Sequence, residues 1–168
     1  MAARGHASFW HCQQHDGARS MIWPACMTGD AHQATCVAIG GRAVLIEGPP
    51  GVGKSSLALA LIDRGAVLVG DDGVLLTVAG GRVHAHPHPR IAGLLEVRNL
   101  GLVPMPTVAD VPVALVLVLD RAAERYVEAA ETAVRAGCPV PLLRLWPDSP
   151  VLALRAELAL SRFGLPVA

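Results

Sequence analysis

The 168 residues predict an α/β fold, in which a sheet carries flanking helices and added β-hairpins. Three observations predict this fold. Apolar runs of strand length alternate along the chain with segments of helical periodicity. Two glycine pairs, Gly40-Gly41 and Gly80-Gly81, each lie between two apolar runs, as hairpin turns do. A glycine-rich stretch, residues 48–55, lies between a predicted strand and a predicted helix.

The predicted strands are short apolar runs bounded by glycine, proline or charged residues. They cover Thr35–Ile39, Arg42–Glu47, Ala66–Gly70, Val74–Val78, Arg82–Ala85, Ile91–Val97 and Val113–Leu119. A stiff loop of histidines and prolines is expected at residues 86–89, because proline restricts the backbone. The histidines of this segment are more typical of such a loop than of a metal site.

Three helices are predicted from apolar spacing and end signals. The first follows the glycine-rich stretch and ends at Arg64, with Gly65 in the left-handed conformation. The second begins after Asp120 and ends at Gly137, and its expected buried face consists of Tyr126, Val127, Ala130, Ala133 and Val134. The third begins with Ser149 as N-cap and Pro150 at its first position, and closes at Phe163-Gly164. Its expected buried face includes Leu154, Leu158 and Ser161.

Composition narrows the classes of function. Apolar residues make up 52% and the formal net charge is zero, so no surface for nucleic acid is expected. The longest apolar run, Val111 to Leu119, has the length of a strand, so no membrane span is expected. The four cysteines lack metal-ligand spacing, which is typical of reduced thiols in a cytoplasmic protein. Residues 1–27 lack periodicity and are expected to be a disordered extension, while residues 28–168 form a single domain.

Residues 48–55 fit the pattern G-x-x-x-x-G-K-[ST] of a phosphate-binding loop. This phosphate loop consists of Gly48, Pro49, Pro50, Gly51, Val52, Gly53, Lys54 and Ser55. Glycines let the backbone turn tightly and bring N–H groups to phosphate oxygens, and the following helix adds the positive end of its dipole. The pattern assigns Lys54 to the β- and γ-phosphates and the Ser55 hydroxyl to Mg²⁺. It therefore predicts a nucleotide-binding, P-loop NTPase-like fold.

An acidic pair, Asp71-Asp72, follows the predicted strand Ala66–Gly70. Acidic residues at the carboxyl end of a strand near a phosphate loop handle Mg²⁺ and the attacking group. Adjacent residues of an extended segment point to opposite sides, so one Asp can face the γ-phosphate while the other orients a neighbour. One of the two is predicted to be the base that takes a hydroxyl proton, and the sequence does not say which. The alternative is an ordinary Asp-Asp-Gly turn.

Glu96 and Arg98 are two residues apart in an extended segment and therefore share a face. A carboxylate for Mg²⁺ and a guanidinium for phosphate would act together there. The alternative is a surface ion pair, which contributes little to stability. His32, a single histidine before the first predicted strand, is by itself more typical of a surface residue.

Together these residues resemble the catalytic domain of bacterial HPr kinase/phosphorylase. The resemblance rests on His32, the phosphate loop, Leu68–Asp72 and Leu94–Leu102. It covers residues 31–103 well and the C-terminal third loosely. It implies the HPr kinase / PEP carboxykinase-like form of the P-loop fold. The implied activity is that of a serine kinase, dependent on Mg²⁺, that phosphorylates an HPr-like phosphocarrier protein of the phosphotransferase system with ATP or pyrophosphate. The family also performs the reverse phosphorolysis, which releases pyrophosphate.

The resemblance also implies roles for single residues. Lys54 and His32 would contact the β- and γ-phosphates, and Ser55 and Glu96 would hold Mg²⁺. Asp71-Asp72 would supply the base, which becomes the acid when phosphoserine is cleaved. Arg98 would complete this catalytic set.

The sequence departs from the family in three places. It lacks the N-terminal domain of the long members and looks like the short alphaproteobacterial form. Asn99 replaces the usual glycine, and asparagine tolerates positive φ. The C-terminal segment that carries a further active-site arginine has no clear counterpart, and Arg144 is the candidate for that residue. Nucleotide binding is therefore a firmer expectation than phosphorylase activity.

Two other functions stay open at the level of sequence. One is a P-loop small-molecule kinase or NTPase, and the other is a nucleotide-binding sensor with little turnover. Long family members assemble into hexamers, so a homo-oligomer is a further expectation of the resemblance.

Overall fold

The computed structural model describes residues 29–167. The expected N-terminal extension, residues 1–27, lies outside the described residues and stays a prediction. The elements in chain order are β1 (Asp30–His32), β2 (Thr35–Ile39), β3 (Arg42–Glu47), α1 (Lys54–Asp63), β4 (Val67–Gly70), β5 (Val74–Ala79), β6 (Arg82–Pro87), β7 (Leu94–Val97), β8 (Gly101–Pro104), β9 (Val111–Leu119), β10 (Glu131–Arg135), β11 (Cys138–Leu145) and α2 (Leu152–Phe163). In this part of the chain no helix is long and apolar enough to cross a membrane.

The centre of the sheet is a parallel group of strands. β3 pairs in parallel with β9, and β9 pairs in parallel with β11. On the other side of β3, the antiparallel strand β2 separates it from β4. The first residues of β9 also pair with β6, so β1, β5 and β6 extend the sheet from there. β7 and β8 form a separate two-stranded hairpin.

The core occupies both faces of the central strands. Val44 and Ile46 of β3 belong to the apolar cluster that packs against α1 and α2. Ala43 and Leu45, which alternate with them, belong to a second cluster with residues of β5, β6 and β11. β9 is buried along most of its length because both of its faces are covered, which explains its continuous apolar sequence.

The hairpins and the first helix agree with the sequence predictions. β2 and β3 have the predicted bounds, and Gly40 and Gly41 between them have φ angles of 55° and 76°. α1 ends where expected, with Gly65 at φ 100°. Asn99 adopts φ 68°, so it fits a left-handed turn position.

The second predicted helix is wrong. Residues 121–130 contain no helix, and the following residues form β10, which pairs with β11. Ala136 and Gly137, with φ angles of 44° and 78°, form the turn of this hairpin. Tyr126 and Val134 are 72% and 64% exposed, so the proposed apolar face is not buried. The pairing with β11 outweighs the helical spacing of several alanines.

The third helix was predicted with the wrong start and the wrong buried face. α2 begins at Leu152, since Pro150 and Val151 still lie in the preceding turn. Leu154 and Leu158 are 43% and 69% exposed, and the helix instead buries Ala156, Ala159 and Leu160. Two of the three buried residues are alanines, while Leu160 is the leucine that the helix buries.

Two local predictions also need correction. His86 and Pro87 belong to β6 and not to a loop. Arg98 lies in the turn after β7, so it does not share a strand with Glu96.

Candidate active site

The phosphate loop connects the end of β3 to the start of α1. Gly48, Gly51 and Gly53 have φ angles of 143°, 76° and 108°, which residues with side chains rarely adopt. At Gly48 a Cβ would also lie 2.9 Å from the carbonyl oxygen of Leu119. The loop therefore needs glycine at this position both for its backbone angle and for its closeness to β9.

The N-terminus of α1 opens onto the same loop. The first-turn N–H groups of a helix have no acceptor within the helix, and the helix dipole adds partial positive charge there. The ammonium group of Lys54 donates to the carbonyl oxygens of Gly48 (3.0 Å) and Pro49 (3.2 Å). This combination of N–H groups, dipole and ammonium suits an anion such as phosphate.

A cavity of about 500 Å³ lies beside the loop, and we call it the transfer cavity. Its lining consists of Gln33, Pro50, Gly51, Gly53, Lys54, Ser55, Ser56, Asp72, Glu96 and Arg98. It thus brings together predicted site residues from three separate segments of the chain: Lys54 and Ser55 of the phosphate loop, Asp72 after β4, and Glu96 and Arg98 at the end of β7.

The two aspartates after β4 occupy different environments. Asp71 is buried, and its Oδ1 accepts hydrogen bonds from the hydroxyls of Thr35 (2.7 Å) and Ser55 (2.9 Å). Its Oδ2 accepts the backbone N–H of Glu96 (3.0 Å). Asp72 is exposed, has φ 58° and lines the transfer cavity. Asp71 therefore ties three segments of the site together, while Asp72 faces the space where a substrate would lie.

His32 lies outside the transfer cavity and belongs to a second group of charged residues. Its Nε2 donates to Oε1 of Glu47 (2.8 Å), the residue that immediately precedes the phosphate loop. Arg135 donates to both carboxylate oxygens of Glu47, at 2.8 and 2.6 Å. Burial raises the pKa of Glu47, but these hydrogen bonds outweigh burial and lower the pKa to about 2. The carboxylate is therefore ionised, and the imidazole carries its proton on Nε2.

Sequence reasoning did not find Glu47 or Arg135 as parts of the site. In the sequence, Glu47 has the pattern of the polar end of a strand, and Arg135 lies within the helix that was wrongly predicted. Their contact joins residues from β3 and β10 that are remote in sequence. Spacing along the chain carries no signal for such a contact.

Arg144 lies on the other side of the phosphate loop from the transfer cavity. It lines a second cavity with Pro49, Val52 and the end of β9. Its guanidinium is paired with Asp120 (3.3 Å) and Glu131 (3.1 Å). Arg144 is therefore not grouped with Asp72, Glu96 and Arg98.

The oxygen groups at the transfer cavity fit a magnesium–nucleotide complex. The Ser55 hydroxyl and the Glu96 carboxylate lie on one cavity, and oxygen is the ligand that Mg²⁺ prefers. Magnesium at nucleotide sites is held by one or two carboxylates together with phosphate oxygens. Ser55 and Glu96 are thus the residues of this site that would hold the ion.

Comparison with known proteins points to one family. The profile of the HPr Serine kinase C-terminal domain matches residues 27–109. The HPr kinase/phosphorylase of Bordetella petrii is 48% identical over 69 residues, which cover 40% of this chain and 22% of the relative. That of Mycoplasma mycoides subsp. mycoides is 37% identical over 75 residues, 45% of this chain and 24% of the relative. The chain therefore matches less than a quarter of the length of these relatives.

A solved structure shares the fold. The structure of the Hpr(Ser) kinase/phosphatase from Coxiella burnetii superimposes with a TM-score of 0.70 at 24% identity. The match covers 79% of this chain and 94% of that one. The prediction of a mixed α/β fold with a central sheet is confirmed.

Proposed function

We propose that the chain is an ATP-dependent serine kinase of the family described by the HPr Serine kinase C-terminal domain, whose profile matches residues 27–109. Its substrate is an HPr-like phosphocarrier protein of the phosphotransferase system. The observation that carries the proposal is the convergence of Lys54, Ser55, Asp72, Glu96 and Arg98 on one cavity beside the phosphate loop. The relatives named HPr kinase/phosphorylase support the choice of substrate.

The phosphate loop binds the nucleotide in this proposal. β3, the loop and α1 follow each other in the order of a P-loop NTPase-like fold. The first-turn N–H groups of α1 and the ammonium of Lys54 hold the β- and γ-phosphates. Ser55 and Glu96 hold Mg²⁺, which when bound neutralises charge on the phosphates.

Asp72 acts as the base. It takes the proton of the serine hydroxyl while the serine oxygen forms a bond to the γ-phosphorus. The bond from that phosphorus to the bridging oxygen breaks, and ADP leaves. Lys54 and Arg98 stabilise the negative charge on the transferred group. Asp72 is suited to this role because it is exposed on the cavity, where the side chain of another protein can reach it.

Asp71 is a positioning residue. Its carboxylate holds the Ser55 hydroxyl, the Thr35 hydroxyl and the Glu96 backbone at once. It therefore sets the position of both residues that would hold Mg²⁺. Glu47, fixed by Arg135, orients His32 at the edge of the site.

The direct test is transfer of labelled γ-phosphate from Mg·ATP by the purified full chain. The acceptors are an HPr-like carrier from the same organism and a variant of that carrier with alanine at its acceptor serine. We expect phosphoserine on the first carrier and no label on the second. Label on a metabolite or release of free phosphate would instead favour a small-molecule kinase or an NTPase. Tight ATP binding without any transfer would favour a sensor.

Other expectations from the family resemblance stay predictions. They are the use of pyrophosphate as donor, the phosphorolysis of phosphoserine, assembly into a homo-oligomer and a cytoplasmic location. Phosphorolysis would place a phosphate ion in the transfer cavity, with Asp72 as the acid that returns the proton to the serine oxygen.

A further inference from the structure

A second cavity, of about 480 Å³, lies on the opposite side of the phosphate loop. It shares Pro50 and Gly51 with the transfer cavity, so the crest of the loop separates the two. The strand order explains this arrangement. β4, which leads to Asp72, lies on one side of β3, and β9 and β11 lie on the other.

The path of a bound nucleotide follows from this geometry. Its γ-phosphate lies beside Asp72 and Lys54, according to the proposed function on which this inference rests. The rest of the molecule must then leave the loop in a direction away from Asp72. The second cavity adjoins the same loop residues and lies on the β9 side of β3, opposite the side of β4 and Asp72.

The chemistry of the second cavity suits a nucleoside. Pro49, Val52 and Val118 supply apolar surface, which a base needs. Asp120 and Arg144 supply the polar groups. A carboxylate can accept a hydrogen bond from a ribose hydroxyl, and a planar guanidinium can stack on a base.

The charges of this cavity disfavour another phosphate group. The guanidinium of Arg144 is paired with two carboxylates, those of Asp120 and Glu131. Arg121, also on the cavity, is paired with Asp148 at 3.0 Å. The two cations are therefore already balanced, unlike Lys54, which lies among loop carbonyl oxygens. An uncharged group fits here better than an anion.

We propose that the cavity between Pro49 and Arg144 is the nucleoside subsite, which binds the base and ribose of ATP. Arg144 is its main polar contact. The ion pairs with Asp120 and Glu131 hold the guanidinium in place before the nucleotide arrives.

The test compares ATP with tripolyphosphate, which has the phosphate chain and lacks the nucleoside. Affinities are measured by titration calorimetry on the full chain with Mg²⁺. We expect the wild type to bind ATP about tenfold or more tightly than tripolyphosphate. The Arg144→Ala variant should bind ATP about tenfold more weakly, while its affinity for tripolyphosphate changes less than about twofold.

Two further variants sharpen the test. Arg64→Ala is the matched control, since the Arg64 side chain has nearly the same exposure as that of Arg144, 41% against 43%, and is also paired with a carboxylate. Arg64 follows the opposite end of α1, so both affinities should stay unchanged. Arg144→Lys keeps the positive charge without the planar group and should also lose affinity for ATP alone.

Several results would overturn the proposal. Equal affinities of the wild type for ATP and tripolyphosphate would show that no nucleoside subsite exists, and this comparison needs no variant to fold. If Arg144→Ala weakened the binding of ATP and of tripolyphosphate equally, Arg144 would be a phosphate contact and not a nucleoside contact. If that variant bound ATP as tightly as the wild type, the cavity would not be the nucleoside subsite. Its occupant would then be another group, such as a segment of the carrier protein. Absence of binding of either ligand would overturn the proposed function as well.

Discussion

At the scale of single residues, the two neighbouring aspartates differ in what their environments allow. Asp71 accepts three hydrogen bonds, and an asparagine there would turn its amide N–H₂ toward a donor. We expect Asp71→Asn to lower the free energy of unfolding by about 1–3 kcal/mol. Asp72→Asn should change it by less than about 0.5 kcal/mol, because the side chain is exposed and asparagine tolerates positive φ. Urea unfolding measures both, and equal losses would contradict the separate roles.

The glycines of the phosphate loop are a second test at this scale. A Cβ at Gly48 would meet the Leu119 carbonyl oxygen at 2.9 Å and Val52 at 3.1 Å, whereas a Cβ at Gly51 would meet nothing within 4 Å. Gly51→Ala should therefore lower the free energy of unfolding by only about 1 kcal/mol, because alanine is strained at the positive φ of this position. Gly48→Ala should lower the free energy of unfolding by more than this and should also weaken ATP binding, because the loop must shift to make room for the Cβ. Thermal unfolding and calorimetry check this, and a smaller effect at Gly48 than at Gly51 would count against the loop geometry.

Sequence patterns predicted the residues of the transfer cavity well. The phosphate loop is a local motif, and a strand, a turn and a helix place its residues without help from distant parts of the chain. The sequence left open which aspartate faces the cavity, because that depends on partners from β2, α1 and β7. The assignment of Asp72 as base is accordingly a proposal from its exposure.

At the scale of elements, the hairpin of β10 and β11 is joined to the phosphate loop through Arg135 and Glu47. The pKa of Glu47 is lowered from 4.5 to about 2, so its charge stabilises the fold above pH 4.5. With allowance for screening by solvent, this contribution is on the order of 2 kcal/mol, and it is lost as the pH falls from about 4.5 toward 2. The stability difference between wild type and Glu47→Gln should therefore narrow as the pH falls below 4.5.

Urea unfolding of both proteins between pH 6 and pH 3 measures this difference. At each pH the free energy of unfolding of the variant is subtracted from that of the wild type. This difference removes the contribution of all other carboxylates. A difference that stays constant over the whole range would contradict the lowered pKa.

The same hairpin shows where sequence reasoning failed. The alanines at residues 122–136 recur with a spacing close to that of a helix, and Gly137 resembles a helix end. The structure uses Ala136 and Gly137 as a hairpin turn instead, because β11 offers a pairing partner. Pairing with a strand that comes later in the chain is tertiary information, which a local pattern does not contain.

At the scale of the whole molecule, one sheet supports two apolar clusters. Leu117 belongs to the cluster under α1 and α2, and Leu45 belongs to the opposite one, and both are fully buried. Leu117→Ala and Leu45→Ala should each lower the free energy of unfolding by about 2–5 kcal/mol. Each variant should still unfold in one transition, since both clusters are built on the same strands. Two separated transitions in urea, monitored by circular dichroism, would contradict this.

The family resemblance identified from the sequence is confirmed for residues 27–109, and so is the mixed α/β fold. The strand order could not be predicted, because β9 pairs with β3, β6 and β11 at once. That order decides which residues meet at the phosphate loop and which, like Arg144, lie beyond it.

The central claim is that Asp72 takes the serine proton during transfer of the γ-phosphate to the carrier. Single-turnover transfer from saturating Mg·ATP to the HPr-like carrier, by wild type and by Asp72→Asn, tests it most directly. Loss of a general base should slow transfer about 10²–10⁴-fold, while the ATP dissociation constant stays within about twofold. An Asp72→Asn variant that transfers phosphate at the wild-type rate would contradict the account.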